Sequence, residues 1–123
     1  MKKIDKAIHD AIINKRNFKC GFDEVRFTDL GRSSYDIVVY CHSNAIFGHR
    51  MNGDRSSFWF CTCGYDKRLT RDRLNACSEG EGVPVSFAIR KREMHWFLEG
   101  KDMGAFYRLG SDEIRAAYTG VSK

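Results

Sequence analysis

Cys61 and Cys63 stand two apart in the stretch CTCGYDKRLTRDRLNA (61–76), and with Cys41, His42 and His49 they are the side chains able to hold a metal. Residues two apart on a strand share a face, so these two thiols can act together. Structural zinc, however, is held by C-x2-4-C knuckles whose turn presents both sulfurs to one ion. A C-x-C pair within a strand lacks that turn, and the neighbours Cys41 and His42 point to opposite faces. Cysteine also packs as a small hydrophobe. Core packing is the expected role, with no metal and no cofactor.

Cysteine–histidine nucleophilic catalysis needs a thiol and an imidazole within hydrogen-bond reach and a third group to orient them. Cys41 and His42 diverge, and His9, His42, His49 and His95 are scattered along the chain. Neither a G-x4-G-K-[ST] phosphate loop nor a G-x-G-x-x-G fingerprint occurs. The acidic EGEG at 79–82 reads as a solvated turn. No catalytic residue is expected, and the chain is read as a non-enzyme.

The basic residues remain. Lys67, Arg68, Arg71 and Arg73 set four positive charges against the two negative ones of Asp66 and Asp72. A helix start bearing exposed arginines can hold phosphate through backbone N–H groups as well as side chains. Arg90, Lys91 and Arg92 form a second cluster at a hairpin tip, and Trp96 or Tyr65, if exposed, could stack bases. These seven residues are the candidate binding site, with the four at 67–73 expected to face solvent.

The elements that must position them follow from periodicity. Residues 3 to 16 carry Ile4, Ala7, Ile8, Ala11 and Ile12 at helical spacing, predicting an amphipathic helix whose apolar stripe lies on a sheet. Period two then takes over. Phe18, Cys20 and Phe22 alternate, followed by Val25 and Phe27, a turn at 29–34 and a strand at 35–41. Asn52-Gly53-Asp54 marks a hairpin, because Asn-Gly accepts the positive φ of primed turns. In SSFWFCTCG, apolar on both sides, Trp59, Cys61 and Cys63 face away from Phe58 and Phe60, predicting a central strand covered on both faces. A short helix follows near 70–78, with Thr70 as its N-cap and Asp72 in its first turn. Leu74 and Cys77 point inward, and Gly80 and Gly82 end it. Pro84 opens a strand, 90–92 turns it into EMHWFLEG, 103–109 forms an edge strand, and Ser111 caps a last helix. Short connections favour antiparallel pairing. The expected fold is α+β: a mostly antiparallel sheet of about five to seven strands, an N-terminal amphipathic helix and a short inserted helix.

At 123 residues, with 42% hydrophobic and 30% charged residues, the chain reads as one globular domain, 1–123. Its net charge of +5 suits nucleic acid or an acidic protein surface. Five cysteines, an odd number, and the charged N-terminus MKKIDKAIHDAIINKRN point to reduced thiols in a cytoplasm rather than a secreted disulfide framework. No apolar run reaches membrane-spanning length.

One run of motifs is distinctive. Cys41-His42-Ser43-Asn44-Ala45-Ile46, the Asn52-Gly53-Asp54 hairpin, Cys63-Gly64-Tyr65, Thr70-Arg71-Asp72-Arg73-Leu74-Asn75-Ala76 and the closing His95-Trp96-Phe97-Leu98 follow in order. Over residues 40–98 the chain resembles a group of small bacteriophage accessory proteins. These pair Gly-Trp or Gly-Tyr with a Thr-Thr-basic-x-Arg-[Leu/Ile]-Asn helix start. Here Leu69 stands where the first threonine would be. The resemblance implies a phage origin, action in the infected bacterial cytoplasm and a small α+β fold. It implies packing of Tyr65 beneath the helix start, a cap from Thr70 and a bond from Asn75 back to a strand. Phage proteins of this kind work by docking on a host or phage nucleoprotein machine, including as inhibitors of bacterial defence of the anti-CRISPR or anti-restriction type. Direct binding of DNA or RNA through 67–73 and 90–92 is the alternative. Oligomeric state is left open.

Overall fold

The computed structural model describes the backbone of residues 1–121 and the side chains of residues 1–118. Helix α1 (Lys3–Asn14) leads into β1 (Phe18–Cys20), β2 (Asp23–Gly31), β3 (Ser34–Cys41), β4 (Asn44–Asn52) and β5 (Arg55–Cys61). Helix α2 (Arg68–Glu81) follows, then β6 (Val85–Arg90), β7 (Glu93–Leu98), β8 (Lys101–Ala105), β9 (Arg108–Gly110) and α3 (Ser111–Val121). The fold is α+β, as the periodicity implied. Strands β1-β2-β3-β4-β5-β9 make a six-stranded sheet, and β6-β7-β8 form a separate three-stranded one. Every pairing is antiparallel.

Tight turns set the meander. Gly53 takes a φ of 67° in the Asn52-Gly53-Asp54 turn, as Asn-Gly chemistry predicts. The β3–β4 and β6–β7 turns reach the same left-handed region without glycine, through His42-Ser43 and Lys91-Arg92. The expected edge strand at 103–109 is broken instead into β8 and β9, which belong to different sheets.

The inner face of the large sheet carries Val25, Val39, Phe47, Phe60 and Leu109, all essentially sealed from solvent. Phe60 meets Phe87 with ring centroids 5.0 Å apart, so the small sheet closes onto the large one. Helix α2 fills the remaining space through Leu74, Ala76 and Cys77. Helix α1 lays its stripe mainly on α2 rather than on a sheet, meeting the large sheet chiefly at its β1–β2 edge. A Cβ placed at Gly80 of α2 would stand 3.1 Å from Ile12 Cβ, so the missing side chain lets the two helices approach closely.

The other face of the large sheet departs from expectation. Arg26, Val38, Gly48 and Trp59 stand in one cross-strand row. Trp59 lies against Gly48, where an added Cβ would come within 2.5 Å of the indole, and Arg108 covers it at 4.7 Å from the ring centroid. The β5 strand is interior to its sheet, between β4 and β9. Trp59 is nonetheless half-buried beneath an arginine and not enclosed in a second core.

Candidate functional site

Helix α2 is three residues longer at its start than the Thr70 cap predicts. Its cap position is Lys67, in extended backbone with φ −121°, and no side chain caps it. Gly82, at φ 78°, closes the other end, returning its N–H to the Ser78 and Glu79 carbonyls. Thr70 lies within the helix and is buried.

Three hydrogen-bonded ties fix α2 against the small sheet. Asp66 Oδ1 accepts from Met94 N–H at 3.2 Å. Asn75 pairs with the Phe87 backbone in both directions, donating from Nδ2 at 3.0 Å and accepting at Oδ1 at 2.8 Å. This is the bond back to a strand that the resemblance implied. Ser78 Oγ donates to the Val85 carbonyl. As the chain runs from Asp66, just ahead of α2, to Ser78 within it, the partners run back from Met94 to Val85. The helix start and the Lys91-Arg92 turn therefore sit at the same end of the molecule, and clusters far apart in sequence become neighbours. Lys2, which the sequence reading missed, joins them through Asp72 at 2.9 Å.

Of the seven predicted residues, Lys67, Arg68, Lys91 and Arg92 are exposed and make no ion pair among the described residues. Arg90 lies over the Phe97 ring at 5.0 Å and is 3.7 Å from Asp102. Arg71 is half-buried and holds Asp72 at 2.9 Å. Burial would push the Asp72 carboxyl up, but its bonds to Lys2 and Arg71 prevail and hold it below the ordinary aspartate value. Lys2, Arg68, Arg71 and Asp72 line an open groove of about 630 Å³ between α1 and α2.

Arg73 is a correction. It was expected to face solvent and is 5% exposed. Its Nη1 donates to Asp5 Oδ1 at 2.7 Å, and its Nε donates to Asp23 Oδ1 at 3.1 Å. A charge buried among carboxylates is structural, so Arg73 leaves the binding set and the other six remain.

The aromatic expectations divide. Trp96 is buried and offers no stacking face. Tyr65, expected beneath the helix start, is 52% exposed beside it.

The thiols divide as well. Cys61 Sγ and Cys63 Sγ lie 3.6 Å apart, with the Cys63 thiol directed to the Ala45 carbonyl. Burial, reinforced by the Asp23 carboxylate, pushes the Cys41 thiol up to about 11. His49 does not approach these sulfurs but is bonded through Nδ1 to Glu81. No cluster of three or more His, Cys, Asp or Glu side chains suited to a metal occurs among the described residues. No helix of the described residues is long and apolar enough to cross a membrane.

A family model described as Kyanoviridae Gp96 protein matches residues 1–112. That span takes in α1, which lies outside the 40–98 resemblance. No curated protein and no solved structure matches the chain.

Proposed function

The chain belongs to the Kyanoviridae Gp96 protein family of phage proteins, and from that premise we propose that it is a non-enzymatic binding protein that docks on a host or phage nucleoprotein machine. It acts in the infected bacterial cell, where blocking a defence complex of the CRISPR or restriction type is one form such docking takes. The observation that carries this reading is the union of two basic clusters at one end, tied by the Asp66–Met94 and Asn75–Phe87 bonds. Lys67, Arg68, Lys91 and Arg92 are exposed there and form no ion pair among the described residues. Unpaired cations gathered on one surface attract phosphate or carboxylate partners and raise association rates.

A second reading, direct binding of DNA or RNA by the same six residues, draws on that charge and on half-exposed Tyr65 as a stacking face. Affinity capture from bacterial lysate, divided into nuclease-treated and untreated halves, separates the two. A protein partner that survives nuclease bears out docking. Recovery that vanishes with nuclease transfers the role to direct nucleic-acid binding. Titration against salt gives an independent answer, because contacts to several phosphates weaken steeply as salt rises.

A further inference from the structure

The first turn of α2 leaves its backbone donors open. With Lys67 at the cap position, the N–H groups of Arg68, Leu69 and Thr70 receive no side-chain cap. Neighbouring side-chain oxygens bond other groups: Thr62 Oγ1 accepts from Gly64 N–H and Asp66 Oδ1 from Met94 N–H. Intrahelical bonding begins with Arg71 N–H on the Lys67 carbonyl at 3.0 Å. Open donors at the head of a 14-residue helix carry the positive end of its dipole.

An independent observation concerns Thr70. It is only 6% exposed, and its hydroxyl makes no hydrogen bond among the described residues. Buried hydroxyls almost always find a partner. This one is not sealed in, since the fully buried, unpartnered side-chain atom among the described residues is His49 Nε2. Its access runs through a cavity of about 390 Å³ between the β3–β4 turn and the start of α2. His42, Asn44, Thr62, Tyr65 and Lys67 line that cavity beside Thr70, over a floor that includes Ile46 and Leu69.

We propose that this cavity is a phosphate-monoester site of nucleotide size. The open N–H groups, the Lys67 ammonium and the Thr70 hydroxyl take the phosphate. Half-exposed Tyr65 and the apolar floor take the attached nucleoside. Of the nearby carboxylates, Asp23 is paired with the Arg73 guanidinium, while Asp66 is turned to Met94 N–H and does not line the cavity. The inference rests on the reading of this end as the contact surface and names the chemistry it would meet. The ligand source is either a free nucleotide or the 5′-phosphate of a strand end.

Amide NMR of the full chain titrated with AMP, with adenosine as the phosphate-free control, tests it without any macromolecular partner. The pocket can therefore fail while docking stands, and the reverse. Shifts at the amides of Arg68, Leu69 and Thr70 with AMP and not with adenosine are expected. Lys67→Ala and Thr70→Val should each weaken binding about tenfold, the loss of one charge-assisted or buried hydrogen bond. Arg55→Ala, an exposed cation outside the binding set, should leave it unchanged. Lys67 is exposed, so its variant decides the matter should Thr70→Val fail to fold. A 5′-phosphorylated oligonucleotide binding more tightly than both AMP and its 5′-hydroxyl counterpart identifies a strand end. AMP binding at least as tightly identifies a free nucleotide. Absence of shifts at millimolar AMP, equal shifts with adenosine, or unchanged AMP affinity in Lys67→Ala overturns the proposal.

Discussion

Arg73 Nη1 and Asp5 Oδ1 meet at 2.7 Å, with both side chains nearly removed from solvent, and so join α2 to α1 across 68 positions of sequence. Asp23 on β2 completes the arrangement from the other side of the guanidinium. Two carboxylates around one buried cation hold two helices and a sheet edge in register.

Removing the cation leaves both carboxylates buried and uncompensated. Arg73→Met should therefore cost roughly 3–5 kcal/mol, the usual consequence of breaking a buried pair from one side. Urea denaturation measures it. Arg68→Met, at an exposed position on the same helix, should change stability by less than about 0.5 kcal/mol. Equal effects of the two substitutions would contradict the assignment of Arg73 to the core.

The Lys91-Arg92 turn places two non-glycine residues at φ 52° and 67°. Left-handed backbone costs an ordinary residue about 1–2 kcal/mol, which asparagine and glycine largely avoid. The double substitution Lys91→Asn, Arg92→Gly should raise the unfolding free energy by about 1 kcal/mol while removing two cations from the proposed binding end. Stability and partner affinity should thus move in opposite directions, read by denaturation and by pull-down.

Trp59 covers the Gly48 backbone on the outer face of the large sheet. Gly48→Ala would drive a Cβ to 2.5 Å from the indole, forcing the ring to move. A loss of about 1–3 kcal/mol is expected, with a change in tryptophan emission. Trp59→Ala should cost less than the ~3–5 kcal/mol of a fully buried aromatic, because the ring is half-exposed beneath Arg108.

Asp36 accepts a two-pronged bond from Arg50 at 2.7 and 2.8 Å, which holds its carboxyl below the ordinary 3.8. Because the folded value lies below the unfolded one, the unfolded chain binds more protons in that window. The stabilisation is complete above 3.8 and is lost as pH falls through the lower folded value. Denaturation midpoints measured as the solution is acidified should fall less steeply in Asp36→Asn than in the parent chain.

The helices, the Asn52-Gly53 hairpin and the antiparallel order were legible because local patterning and turn chemistry determine them. Arg73 was misread because charge was weighed before period. Thr70, Arg73, Leu74, Cys77 and Ser78 are the buried stripe of α2 at helical spacing, so its inward direction was available from Leu74 and Cys77. Its partners were not, since Asp5 and Asp23 come from elements 68 and 50 positions away. The same distance hid the meeting of the two basic clusters, which depends on Asp66 and Asn75 reaching the small sheet. Thr70 resembles a cap in sequence and is buried instead, because the helix begins at Arg68.

Charge reversal of each pair is the direct test of whether residues 67–68 and 91–92 form one binding end. Lys67→Glu with Arg68→Glu, Lys91→Glu with Arg92→Glu, and all four together would be compared in one quantitative pull-down, with stability checked in parallel. Each pair is expected to weaken capture of the same partner, the four together to abolish it, and unfolding midpoints to stay close to the parent. Capture that depends on 67–68 and is indifferent to 91–92, or that survives all four reversals, would contradict a single binding end.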